Sequence, residues 1–395
     1  MSRRRVYGEV ITLVLLGLLL APGLASGALR RSNDTPFPSS RSILGASWTS
    51  KRYAPPGDQV GDILPTVWAD DGYHYTMVDD GETDVGPNHV WKQSLAKITG
   101  RPPHIHIAHV GDPTKPTPAT FGQIHRKPAL WRGPLGPYYS GGLVEARRTL
   151  YATQENDWRW GINAPFAGLA GIAYSFDHGE TWRSGGRRFP APLGNLNWVI
   201  RGRGGYYADD WVYAIATERE FNAGKLILGR SRPLRSDLTD PAKWQWFSGS
   251  ATPGNSPHFA GAITRAAPIA DWGSHITYPQ MAYDSPLHQY LLTFTWSYGL
   301  APPGIWRNGS EPVLLAAPHP WGPFSFVARE PYFGPSNGYG AGFPIGWISR
   351  TGRSLWLKWA ANFAGCARSL NCSGAYGFNY RRLQLRVARR RFTSR

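Results

Sequence analysis

Gly61-Asp62-Ile63-Leu64-Pro65-Thr66-Val67-Trp68-Ala69-Asp70-Asp71-Gly72-Tyr73-His74-Tyr75-Thr76-Met77-Val78-Asp79-Asp80-Gly81 is the stretch that decides how the chain is read. Two apolar and aromatic runs flank an Asp-Asp-Gly turn signal, the pattern of a β-hairpin. Asp62 and Asp80 are equidistant from Asp71, so a reversal there returns both carboxylates to one end of the ribbon. Directly opposed residues on antiparallel strands have Cβ atoms about 4.5–5.5 Å apart. A slip of one residue would instead set Asp79 or Gly81 opposite Asp62. The chain has 26 acidic residues against 43 basic ones, so two acids returned to one point call for a chemical reason.

Working outward, the same grammar recurs. Long stretches of helical period are nearly absent, and short β-branched and aromatic runs alternate with Gly, Pro, Asp and Asn, which predicts an all-β fold. Strand-turn-strand units are expected at Thr66–Val78, Gly142–Thr153, Gly171–Trp182, Tyr206–Thr217, Gln280–Trp296 and Gly346–Ala360. Five of them carry loosely similar turns, at Asp70-Asp71, Glu145-Ala146-Arg147, Asp209-Asp210, Asp284-Ser285 and Arg350-Thr351-Gly352. Their even spacing predicts a five-bladed β-propeller, blades meeting around a central channel, in preference to a sandwich. Ser175-Phe176-Asp177-His178-Gly179-Glu180-Thr181-Trp182 matches the Asp-box pattern Ser-x-Asp-x-Gly-x-Thr-Trp. Its Asp and Gly suit a tight turn and its Trp an anchor, so Asp177 is read as architectural.

The ends of the chain differ from its body. Arg3-Arg4-Arg5, an apolar run over Val10–Leu20 and small residues after it read as a signal peptide over 1–27. The run is short for a membrane span of about 20 residues. Residues 28–42 form a polar lead-in, 43–388 a single domain and 389–395 a basic tail. Export places the mature chain outside the cytoplasm, secreted or at the cell envelope, where Cys366 and Cys372 would form a local disulfide. The formal charge of +17 favours an anionic wall polymer as a further partner. Its arginines are spread along the chain without a nucleic-acid-binding motif, so nucleic acid is not an expected partner. A monomer is expected.

With hairpin and Asp box in view, the chain resembles the five-bladed β-propeller family known as domain of unknown function 4185, linked to endo-D-arabinanases of glycoside hydrolase family 183. The resemblance rests on Gly61-Asp62, Trp68-Ala69-Asp70-Asp71-Gly72 and Asp80-Gly81. Weaker echoes are Tyr278-Pro279-Gln280-Met281 with Tyr290-Leu291-Leu292-Thr293, then Pro320-Trp321-Gly322-Pro323, Trp356-Leu357-Lys358-Trp359 and Phe378-Asn379-Tyr380-Arg381-Arg382-Leu383. It covers most of 43–388. It implies that the two essential aspartates fall on Asp62 and Asp80, and that arabinofuranoside-type linkages are cut. The chain departs from the commoner family wording at Ile63-Leu64 and at Met77-Val78-Asp79.

The residues alone point to compatible chemistry. Glycoside hydrolysis uses one protonated carboxyl to donate to the leaving oxygen and one carboxylate to attack or assist. A separation of about 5–5.5 Å goes with retention, one of about 6.5–9.5 Å with inversion. Two acids so close cannot both ionise readily, which divides their roles. Asp62 as nucleophile and Asp80 as acid/base is the order adopted, although the sequence alone does not fix which acid takes which part, and Asp79 is the rival for Asp80. No metal or cofactor is required. His104 and His106 would share one strand face, but no carboxylate at a suitable spacing completes a metal site.

Aromatic residues make up 13% of the chain, with 18 Trp, ample for stacking a polysaccharide or oligosaccharide substrate. Trp68, Tyr278, Trp296 and Trp347, with Glu155 in the loop after the second hairpin, are the expected substrate contacts. Two other readings stand beside hydrolysis: a carbohydrate-binding propeller without catalysis, and a sialidase-like enzyme suggested by the Asp box. Sialidases use a Tyr nucleophile and usually repeat the box, which occurs clearly once here.

Overall fold

A computed structural model describes residues 35–49, 51–54, 60–82, 91–111, 141–154, 171–190, 193–206, 209–218, 223–250, 256–297, 310–330, 338–361 and 376–389. Glu155, Cys366 and Cys372 lie outside them, as do 1–34 and the last residues of the tail. Among the described residues no helix is long and apolar enough to cross a membrane.

The fold is all-β and of the propeller type. After a lead strand β1 (Ile43–Trp48), the described strands fall into five antiparallel meanders. The first holds β2 (Val60–Asp62), β3 (Thr66–Trp68), β4 (His74–Glu82), β5 (Trp91–Arg101) and β6 (His104–His109). The second holds β7 (Leu143–Ala146), β8 (Thr149–Gln154), β9 (Gly171–Ser175) and β10 (Arg183–Ser184). The third holds β11 (Asn195–Ile200), β12 (Val212–Thr217), β13 (Ala223–Ser231), β14 (Gln245–Ser250) and β15 (Pro257–Ala260). The fourth holds β16 (Pro268–Asp284), β17 (Gln289–Ser297), β18 (Ser310–Ala317) and β19 (Ser325–Arg329). The fifth holds β20 (Gly338–Gly342), β21 (Ser354–Ala361) and β22 (Asn379–Val387), and β1 completes it by pairing with β22.

Early strands of successive meanders lie side by side: β3 beside β7, β7 beside β11, β11 beside β16, β16 beside β20. Where β11 and β16 hydrogen-bond they run parallel, Val199 opposite Met281. The apolar clusters follow the same circuit. Val67, Tyr151 and Trp198 join the first three meanders, while Ile215 and Phe294 join the third and fourth. Leu314 and Leu357 join the fourth and fifth, and Ile63 and Tyr339 bring the fifth back to the first. Strands inside this ring are covered on both faces, so β12 and β18 are buried along their whole length. Such strands read as continuous apolar runs, whereas β22 alternates.

The founding hairpin turns where expected: Thr66 is opposite Thr76 and Trp68 opposite His74, centred on Asp71. Gly72, at φ 92°, supplies the left-handed residue that a three-residue hairpin loop requires. Two other units are corrected. The strand before Asp209-Asp210 is Asn195–Ile200, not one beginning at Tyr206, because the Arg201-Gly202-Arg203-Gly204-Gly205 run turns instead of extending. The strand before Arg350 ends at Gly342, and Ile345–Trp347 is a single 3-10 turn.

Candidate active site

Asp62 ends β2, four residues ahead of β3, at the end of the ring where the first strands begin. The register opposite it corrects the expected pairing: Asp62 faces Asp79, not Asp80. From Asp62 to Thr66 is four steps, but from Asp79 to Thr76 only three, so one extra residue bulges on the β2–β3 side. The backbone shows why. Ile63 and Leu64 both have positive φ, 59° and 55°, and Leu64 N–H donates to Asp62 O at 2.8 Å. That is a γ-type reversal, strained for bulky side chains by about 1–3 kcal/mol each.

The surroundings hold this kink in place. The Tyr339 hydroxyl donates to Asp62 Oδ2 at 2.7 Å, and Asp62 keeps 8% exposure. Lys358 Nζ, fully buried, donates to Gly340 O at 2.8 Å and to Ile63 O at 3.3 Å. Gln280 Nε2 reaches the same two carbonyls, at 3.2 and 3.5 Å. The residue after Asp62 and the residue after Tyr339 are thus clamped together by one amine and one amide. Gly340 is required there: at φ 62°, a Cβ would lie 2.8 Å from Ile63 O. Burial draws Lys358 well below the ordinary lysine range. Asp79 is sealed from solvent on the ladder opposite Asp62. Asp80 follows it in β4, and its side chain lies outside the described residues.

The expected substrate contacts divide. Tyr278 and Trp347, 5% and 7% exposed, belong to the core between the fifth and first meanders, Tyr278 with its ring 5.8 Å from that of Tyr339. Trp68 lies at the turn end of its hairpin, where its indole donates to Gly72 O and stacks on His74. Trp296 is half-buried between His275 and the Arg329 guanidinium. His104 and His106 are exposed along β6, as alternation predicted, and no acid joins them in a metal-binding cluster among the described residues.

The Asp box is a closed turn. Asp177 Oδ1 accepts from Ser175 Oγ at 2.7 Å and from Thr181 N–H at 2.9 Å, and Oδ2 accepts from the Thr181 hydroxyl. Trp182 Nε1 donates to Gly179 O and its ring is buried. These bonds hold Asp177 below the ordinary carboxylate range, although burial pushes the other way.

Sequence reasoning did not find Lys358 or the pairing of Tyr339 with Asp62. Lys358 sits inside the Trp356-Leu357-Lys358-Trp359 run, and a lysine there on a strand with no acid nearby in sequence was the available signal.

No protein-family model matches the chain, and no curated protein matches it. Solved structures do. A candidate hydrolase of Bacteroides ovatus aligns at 14% identity over 83% of this chain and 87% of its own, with a TM-score of 0.50. A family 43 arabinoxylan arabinofuranohydrolase of Bacillus subtilis, in complex with cellotetraose, aligns at 11% identity over 84% and 64%, TM-score 0.46. An α-L-arabinofuranosidase of Podospora anserina, in complex with cellotriose, aligns at 10% over 87% and 95%, TM-score 0.42. What the Bacteroides protein shares with this chain is the fold.

Proposed function

We propose that this protein is a secreted glycoside hydrolase acting on a cell-envelope or environmental polysaccharide, with arabinofuranoside-type linkages favoured. In this reading it belongs with the endo-D-arabinanase-like propellers that its Gly61-Asp62 and Asp80-Gly81 motifs resemble. Asp62 serves as nucleophile and Asp80 as acid/base. The acid protonates the leaving glycosidic oxygen while Asp62 attacks the anomeric carbon, and water then cleaves the glycosyl-enzyme with the second acid acting as base.

The observation that carries the reading is the setting of Asp62. A carboxylate on a strained kink, held by a tyrosine hydroxyl and braced by a buried lysine, is preorganised beyond what a hairpin end needs. The experiment is incubation of the purified protein with D-arabinan, L-arabinan, other wall glycans and sialosides, followed by analysis of released sugars. Asp62→Asn and Asp80→Asn are each expected to abolish release with folding intact. Asp79→Asn is the control: if it alone abolishes release while Asp80→Asn does not, the second role moves to Asp79.

One observation favours a carbohydrate-binding propeller without catalysis, namely that Asp79 and not Asp80 is opposite Asp62. That reading requires glycan binding that survives both Asn substitutions, with no sugar released by the unsubstituted protein.

A further inference from the structure

We propose that Asp70, Glu145 and His178 form a binding site for one divalent first-row transition ion, of which Zn2+ is the test case. The three residues come from separate segments: the β3–β4 turn, strand β7 and the Asp-box turn. One ligand atom of each lies within 4.8 Å of the others, and His178 Nε2 is 2.7 Å from Asp70 Oδ1. The site stands apart from Asp62. Asp79, opposite Asp62, is five residues along β4 from His74, or roughly 17 Å at the rise of a strand.

The second observation is Glu145 itself. It is 0% exposed; Oε2 accepts Asp70 N–H at 2.6 Å, while Oε1 has no hydrogen-bond partner among the described residues. A buried carboxylate oxygen beside a second carboxylate and an imidazole is a place where a cation belongs.

The surrounding chain preorganises the trio. Gly205 presses on the β7 backbone, where a Cβ would lie 2.7 Å from Glu145 N and O. Gly204 N–H donates to Trp68 O, and the Arg203 guanidinium donates to Asp70 O. Tyr75 stacks on the His178 ring and donates its hydroxyl to Asp71, which Lys97 also pairs. Arg148 Nε approaches Asp70 Oδ2 at 2.9 Å, but its side chain is 84% exposed and can swing away without unpacking. One imidazole nitrogen with two carboxylates suits zinc or manganese, whereas calcium takes six to eight oxygens. An ion here would tie the first two meanders together.

The test uses the full mature chain stripped with chelator, then titrated with Zn2+ and, separately, Ca2+ by calorimetry. The expected result is one Zn2+ per chain at micromolar affinity or tighter, a raised melting temperature, and no comparable effect of Ca2+. His178→Asn, whose side chain tolerates the φ of 53° at that position, is expected to weaken Zn2+ binding at least tenfold. The double variant His104→Gln/His106→Gln should bind as the unsubstituted chain does. X-ray absorption on the unsubstituted zinc complex should show a single imidazole among oxygen ligands, a result independent of how any variant folds. Absence of saturable binding, unchanged affinity in His178→Asn, or a zinc shell with thiolate or several imidazoles overturns the site.

Discussion

The hydroxyl of Tyr339 donates to Asp62 Oδ2 at 2.7 Å, so the last meander of the ring orients an acid supplied by the first. The two residues are far apart in sequence, and their contact exists only once the ring has closed. A hydrogen bond to a charged group contributes about 1.5–3 kcal/mol. Tyr339→Phe keeps the ring and removes only that donor. It should lower kcat on the responsive glycan by roughly 10- to 100-fold with little change in KM. Sugar release across a substrate series measures this, and an unchanged kcat would remove Tyr339 from the site.

Lys358 makes a different kind of prediction, because its charge is unwelcome where it sits. Burial lowers its pKa well below 10.5, so at intermediate pH the unfolded chain binds a proton that the folded chain does not. Stability therefore rises with pH between the lowered folded value and 10.5. Thermal melts at pH 6 and pH 9 should therefore show Lys358→Met losing ground to the unsubstituted protein as pH rises, because the variant lacks this contribution. The same variant loses the amine that clamps Ile63 O to Gly340 O, so activity should fall even at a pH where the two proteins melt alike.

What the sequence revealed follows from where each signal is stored. The hairpin about Asp71 and the Asp-box turn are local, written in Asp, Gly and Thr within a few residues, and both are in the structure as read. The all-β class is likewise carried by short runs and turns. The partner of Asp62 was not legible in full, because a single left-handed kink at Ile63-Leu64 moves the register by one, and nothing in the composition of that pair announces a positive φ. Tyr278 and Trp347 are aromatic side chains that suit either sugar stacking or packing, and their burial depends on neighbours from distant meanders that the local sequence does not show. Glu145 was passed over for the same reason, its companions Asp70 and His178 lying in other segments.

Asp284, the last residue of β16 before the turn to β17, offers a pH test away from any proposed chemistry. It is fully buried, Oδ1 accepts Leu287 N–H at 3.1 Å, and Oδ2 has no partner among the described residues. Burial raises its pKa from 3.8 to about 7, the Leu287 bond only partly opposing this. The folded chain then holds a proton that the unfolded chain releases, so this stabilising contribution is full below 3.8 and lost as pH rises through about 7. Asp284→Asn keeps an acceptor for Leu287 without the ionisation. Its melting temperature should overtake that of the unsubstituted protein above pH 7 and show less decline between pH 4 and 8.

The Asp box separates architecture from catalysis. Asp177 accepts three hydrogen bonds within its own turn, and Trp182 is anchored by Gly179 O, so the motif is satisfied internally. Asp177→Ala removes all three acceptor contacts on a solvent-facing turn and should cost about 1–2 kcal/mol of stability. Because its pKa is held below 3.8, the stability Asp177 contributes is present above that value and fades as pH falls through the lowered one. The deficit of the Ala variant should thus shrink in strong acid. On a glycan the unsubstituted protein cleaves, kcat for Asp177→Ala should stay within about twofold when assayed well below its melting temperature, since a residue that spares the chemistry leaves the barrier unchanged. A large loss of kcat with the fold intact would place the Asp box in the chemistry, and would revive the sialidase-like reading that the motif first suggests.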